Sequence, residues 1–133
     1  MAIVQSFNMM SIALLIGLSL LLVAKSDPNT SVNLIVCNGN SYAQSDAYAN
    51  SVAYVLADIM NVTPNHGYDY KTQSPYAQAV SYGHATCNTA LNYNDCADCM
   101  IAARSAVTNN CLDKVGAQVS MVDCSMRYEN YSF

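Results

Sequence analysis

Cys87-Asn-Thr-Ala-Leu-Asn-Tyr-Asn-Asp-Cys96-Ala-Asp-Cys99 is a C-x8-C-x2-C cassette, and the state of its three sulfurs decides how the rest of the chain folds. Three chemistries suit such a trio: metal ligation, reactive thiols, or three halves of separate disulfides. Zinc sites of this size draw on two CxxC pairs, or on one CxxC with paired histidines. Here a single CxxC is accompanied by two isolated histidines, His66 and His84. Six cysteines in a small exported chain read instead as a disulfide framework, so no metal and no other cofactor is expected.

Export is read from the N-terminus. Ile12 to Val23 is an uninterrupted apolar run, followed by Ala24-Lys25-Ser26, where small residues suit a signal peptidase. Cleavage after Ser26 fits best and after Ala24 next best, although Met1 to Met10 contains no Lys or Arg. The run is too short for a spanning helix, which needs about 20 apolar residues. Residues 1–26 are therefore expected to be a signal peptide and residues 27–133 one domain, extracellular and without a membrane span once mature. Removing Lys25 leaves four basic residues, Lys71, Arg104, Lys114 and Arg127, against nine acidic ones, so the net charge falls from −4 to −5. Nucleic acid is excluded as a partner by the lack of a basic footprint.

Periodicity then orders the mature chain. Ser31 to Cys37 alternates as a strand with Val32, Leu34 and Val36 on one side. In Asp46 to Met60, Tyr48, Val52, Val55 and Ile59 form one face of a helix that Ser45 is placed to cap and Val62-Thr63-Pro64 to stop. Gly67 to Thr72 reads as a half-exposed strand, Gln73-Ser74-Pro75 as a hairpin loop, and Ala77 to Cys87 as the returning strand. Ala77, Ala79, Ser81, Gly83, Ala85 and Cys87 fall on one side of that strand, which is small enough for a helix to approach closely. A second helix is predicted over Asn94 to Asn110, capped by Asn92 or Asn94, with Asp95 and Asp98 at its positive end and Cys96, Cys99, Ala103 and Val107 facing inward.

The final stretch, Val115 to Tyr131, is long enough for two strands or one bent one. Ala117, Val119 and Met121 are its apolar parity before Val122, but Val122, Cys124, Met126 and Tyr128 are the apolar parity after it. This phase change predicts a bulge near Met121 or Val122, which brings Gln118 and Glu129 onto one face. The order strand, helix, strands, helix, strands is that of an α+β domain with helices packed on one antiparallel sheet.

The cassette, the preceding Gly67-Tyr-Asp-Tyr-Lys-Thr72 and the ending Val122-Asp-Cys-Ser-Met-Arg-Tyr-Glu-Asn-Tyr-Ser-Phe133 resemble the ginkbilobin-like family of plant cysteine-rich secretory domains. The same domain builds ectodomains of cysteine-rich receptor-like kinases. The resemblance covers nearly all of Asp27 to Phe133 and implies two helices on a five-stranded antiparallel sheet. It also implies the pairs Cys37 with Cys111, Cys87 with Cys96, and Cys99 with Cys124. The resemblance further implies a mannose site made by an Asn after the first cysteine, an Arg in the last strands and a Glu near the C-terminus. These positions fall on Asn38, Gln118 and Glu129. Gln118 is a departure, because an amide lacks the charge and five-donor fork of a guanidinium, and weaker mannose binding is implied.

The function expected is that of a secreted, apoplastic plant defence protein, antifungal through mannose or mannan-type glycans of the fungal wall and acting as a monomer. The alternative is a non-lectin apoplastic or seed interaction module, its sugar site weakened by Gln118. No nucleophile, base or metal constellation is legible, so an enzyme is not expected. Each candidate has a plainer role. Asn38-Gly39 is a turn dipeptide, Gln118 an exposed strand residue, and Glu129 a surface partner for Arg127 or Lys114. His66 and His84 read as structural or surface residues, and Tyr68, Tyr70, Tyr82 and Tyr128 as sheet packing. Asn29, Asn61 and Asn130 each begin a glycosylation sequon.

Overall fold

Helix-forming and strand-forming stretches alternate along the chain much as their periodicities demand. The computed structural model describes residues 26–133, so the expected signal segment lies outside them apart from Ser26. The strands are β1 (Val32–Cys37), β2 (Asp69–Gln73), β3 (Tyr82–Cys87), β4 (Ala117–Met121) and β5 (Cys124–Glu129). The helices are α1 (Ala47–Val62), extended by a short 3-10 turn at Thr63–Asn65, and α2 (Tyr93–Asn110). The strands form one antiparallel sheet in the order β1-β4-β5-β3-β2, and both helices pack on one of its faces. This is the expected α+β fold, with two helices, five strands and three disulfides.

The core lies between the helices and that face. Val55 and Ile59 of α1 and Met100, Ala103 and Val107 of α2 are fully buried, as are Ala85, Val119 and Met126 of the sheet. Burial of the larger of these side chains stabilises the fold by about 1.5–3 kcal/mol each. Gly83 is the point of closest approach, since a Cβ there would overlap Val55 and press on Ile59. The small side expected of this strand is thus the side that α1 covers.

The disulfides join Cys37 to Cys111, Cys87 to Cys96 and Cys99 to Cys124, with Cα atoms 5.4, 5.7 and 6.1 Å apart. Cys96 and Cys99 lie on the buried face of α2, each tied to a different strand. Among the described residues no cysteine is free and no cluster of three metal-ligating side chains occurs. None of the described helices is long and apolar enough to cross a membrane.

Several local expectations are corrected. Ser45 does not cap α1; Asp46 occupies that position, and its carboxylate accepts from the Ala43 amide rather than from the helix. Asn92 does cap α2, accepting from the Asp95 amide at 2.8 Å. β2 starts at Asp69, not Gly67, because Gly67 and Tyr68 both take left-handed backbone angles, φ 63° and 64°. The β2–β3 loop extends from residue 74 to 81, closed by Ser74 and Ser81 and leaning on α1 through the Ser51 hydroxyl and the Ala79 carbonyl.

The largest correction concerns the phase change. Ser120 pairs with Ser125, so Val122 and Asp123 are the two-residue turn of a hairpin and not a bulge. The chain has a bulge opposite, in β1, where Asn33 is extra between the pairs Val32–Met121 and Leu34–Ser120. β1 also shows its more apolar side to solvent, because Cys37 must face α2 to reach Cys111. Leu34 and Val36 are consequently 49% exposed, while Val32, beyond the bulge and paired with Met121, falls on the opposite face.

Candidate functional site

The hairpin at Val122-Asp123 sets the contents of the sheet's open face. By register, Val36, Gln118, Arg127, His84 and Lys71 form one row across it. The adjacent row contains Asn38, Gly116, Glu129, Tyr82 and Gln73. Asn38, Gln118 and Glu129 therefore do share a face, grouped around Gly116, although a turn brings them there and not the bulge expected.

Gly116 is held from several sides. Its carbonyl accepts from the Asn38 amide at 2.9 Å, and the Val115 amide donates to Asn40 O at 3.0 Å. From the helix layer, the Tyr48 hydroxyl donates to Val115 O at 2.6 Å and the Tyr128 hydroxyl to Lys114 O at 2.8 Å. Burial, with the nearby Glu129 charge adding to it, pushes the Tyr48 phenol up to about 12. Burial chiefly raises that of Tyr128 too, so both remain donors near neutral pH. Among the tyrosines taken as sheet packing, Tyr128 thus also positions the floor of the site.

Each candidate residue has a distinct environment. Asn38 Oδ1 accepts from the Asn40 amide at 2.9 Å, the turn role expected of it, which leaves Nδ2 as the group unused in that turn. Gln118 is half-buried in mid-strand between Val36 and Arg127. Glu129 is only 8% exposed; its Oε1 receives Arg127 Nε at 3.3 Å, while the buried Oε2 has no partner among the described residues. The absence of a side chain at Gly116 makes room for this carboxylate, since a Cβ there would collide with Oε2. Lys114, the other basic residue weighed for Glu129, bonds Ser41 instead.

Arg127 is the expected partner of Glu129, but its place opposite Gln118 was not foreseen from the sequence. It lies directly opposite Gln118, donates through Nη2 to the Tyr131 hydroxyl at 3.0 Å, and holds its guanidinium 4.1 Å from the centre of the Phe133 ring. Only the strand register places it there, once residues 122–123 are known to be a turn. Other polar groups on this face are also engaged: His84 Nε2 lies 2.6 Å from Asp69 Oδ1, and Lys71 Nζ donates to Phe133 O at 3.4 Å. The result is a polar face on which Arg127 and Glu129 form an ion pair and one buried acceptor has no partner among the described residues.

Comparison with known proteins agrees with this architecture. A family model described as salt stress response/antifungal matches residues 36–131. An antifungal ginkbilobin-like protein of Picea abies is 31% identical over 108 residues, covering 80% of this chain and 99% of that protein. Antifungal ginkbilobin-2 of Ginkgo biloba is 30% identical over 115 residues, covering 85% and 86%. Among solved structures, the tandem DUF26 ectodomain of the Arabidopsis thaliana cysteine-rich receptor-like protein PDLP5 superposes with a TM-score of 0.72 at 21% identity. The match covers 77% of this chain and 51% of that one, a likeness of fold.

Proposed function

We infer from one premise, that this chain belongs to the salt stress response/antifungal family, that it is a secreted plant defence protein which restrains fungi by binding mannose-type glycans. Three disulfides support a compartment outside the cytosol. The observation that carries the sugar reading is the buried, unpartnered Oε2 of Glu129. A buried acceptor without a donor costs about 1–3 kcal/mol, more when charged, and a sugar hydroxyl supplies that donor. Asn38 Nδ2 and the Gln118 amide add hydrogen-bonding groups on the same face, and the pairing of Arg127 with Glu129 suits a neutral ligand.

Arg127 supplies the guanidinium that the family resemblance places at residue 118. It stands on the neighbouring strand at the same level, so Gln118 need not weaken the site. Titration calorimetry of the oxidised, signal-cleaved protein with mannose and mannan tests the reading. Glu129→Gln is expected to weaken mannose binding by about ten- to a hundredfold, the worth of a hydrogen bond to a charged group. Titrations that stay silent at high millimolar mannose would remove the sugar from the proposal.

A non-lectin interaction module is the second reading, favoured by the half-exposed Leu34 and Val36 on the same face as Asn38. The two readings diverge on an exchange of strand partners. For a lectin, Arg127→Gln weakens mannose binding and Gln118→Arg in the same chain restores it. For a protein-binding module neither change alters mannose affinity.

A further inference from the structure

The open face does not end at Glu129. Past it, away from Asn38, a cleft of about 300 Å³ lies between the β2–β3 pair and the C-terminal residues, with Lys71, Gln73, Tyr82 and Phe133 among its walls. We propose that this cleft is a second saccharide subsite, so that the ligand is a mannose-type oligosaccharide laid across the strands and not a single sugar. The proposal rests on the sugar reading above and deepens it.

Register makes the two places continuous. Glu129 is opposite Tyr82 and Tyr82 is opposite Gln73, so the row that begins at Asn38 and crosses Gly116 continues into the cleft. Adjacent strands lie about 4.8 Å apart, so the four spacings from Asn38 to Gln73 make a row about 19 Å long. A short oligosaccharide fills such a row, whereas one pyranose ring leaves most of it empty.

The chemistry of the cleft matches a sugar ring. A pyranose has an apolar C–H face and a rim of hydroxyls. Tyr82 and Phe133 offer aromatic surface to the first, while the Gln73 amide and Lys71 ammonium offer donors and an acceptor to the second. Lys71 donates one N–H to the Phe133 carbonyl and has further donors to offer sugar hydroxyls. A volume of about 300 Å³ is at the lower end of those that enclose small ligands, enough for one unit of a chain.

Arg127 joins the two subsites. Its Nε meets Glu129 at 3.3 Å and its guanidinium lies against Phe133 at 4.1 Å, so a single side chain contacts the acceptor of the first subsite and a wall of the second. Filling one subsite thereby orders a group that shapes the other.

The test is titration of the oxidised protein with mannose and with a linear mannotriose, followed by NMR of backbone amides. Mannotriose is expected to bind about tenfold more tightly, equivalent to about 1.4 kcal/mol. The amides of Gly83 and Ser132 are expected to shift with the trisaccharide and not with mannose. Gln73→Ala, which touches neither Glu129 nor Arg127, should bring the ratio of the two affinities towards one. A protein that binds mannose but shows no such preference, or a preference that Gln73→Ala leaves intact, or unmoved Gly83 and Ser132 amides, overturns the subsite alone. Binding of neither sugar overturns the mannose reading and the subsite together.

Discussion

Gly116 has no side chain, and the Glu129 carboxylate takes the volume that one would fill. Gly116→Ala is expected to lower stability by about 1–3 kcal/mol, as overpacking does, and to abolish mannose binding by displacing Oε2. Thermal unfolding and sugar titration of the variant check both effects; an unchanged melting temperature with intact binding would contradict the arrangement. Asn38 and Glu129 were marked in the sequence as candidate contact positions by a resemblance, and the fold brings them onto one face. Gly116 and Arg127 were not, since their roles exist only when strand register places Glu129 beside one and Gln118 opposite the other. Such pairings join residues that no local pattern links.

Both helices were readable from their periodicity to within a residue or two at each end, as was the small side of β3 that α1 covers. The hairpin between β4 and β5 was not. A two-residue turn and a bulge both shift apolar parity, and Val122-Asp123 has none of the glycine or asparagine that marks a tight turn. Tertiary bonds hold it instead: Val122 and Asp123 amides donate to Ser31 O and Asn29 O, and Asn88 donates to both the Asp123 carbonyl and carboxylate. The outward side of β1 was hidden for a similar reason, because a covalent bond to α2 overrides the burial that alternation suggests.

The join between α1 and the segment before Gly116 carries a pH dependence. Unfolded, Tyr48 ionises near 10.0; folded, it ionises at about 12. Between these values the unfolded chain releases a proton that the folded chain keeps, so this contribution is whole below about pH 10 and is lost as pH rises towards 12. The denaturant midpoint should fall from about pH 9 to about pH 11, and fall less in Tyr48→Phe. An equal decline in the two proteins would assign the effect elsewhere.

For the molecule as a whole, the disulfide pairing was legible through the resemblance and not from spacing. Its mechanical logic appears only in the fold. Cys37–Cys111 spans 74 residues and ties the edge strand to the end of α2, while Cys87–Cys96 spans 9 within one corner. Ring closure of these lengths contributes at most about 4.5 and 2.7 kcal/mol. Removing the long ring with paired Cys37→Ser and Cys111→Ser changes should therefore cost more stability than removing the short one with Cys87→Ser and Cys96→Ser. Denaturant unfolding of the two double variants gives the order, and the reverse order would show that local packing outweighs chain entropy here.

β1 also governs how molecules behave towards one another. Val32–Cys37 contains no charge and no proline, and among the described residues it is an edge strand of the sheet, the composition from which strands of separate chains zip into fibrils. The extra residue at Asn33 bends that edge and leaves only Leu34–Cys37 as a regular ladder, with Cys37 tethered at its end. A kink in the backbone thus stands where gatekeeper charges usually would, shortening the stretch on which another chain could pair.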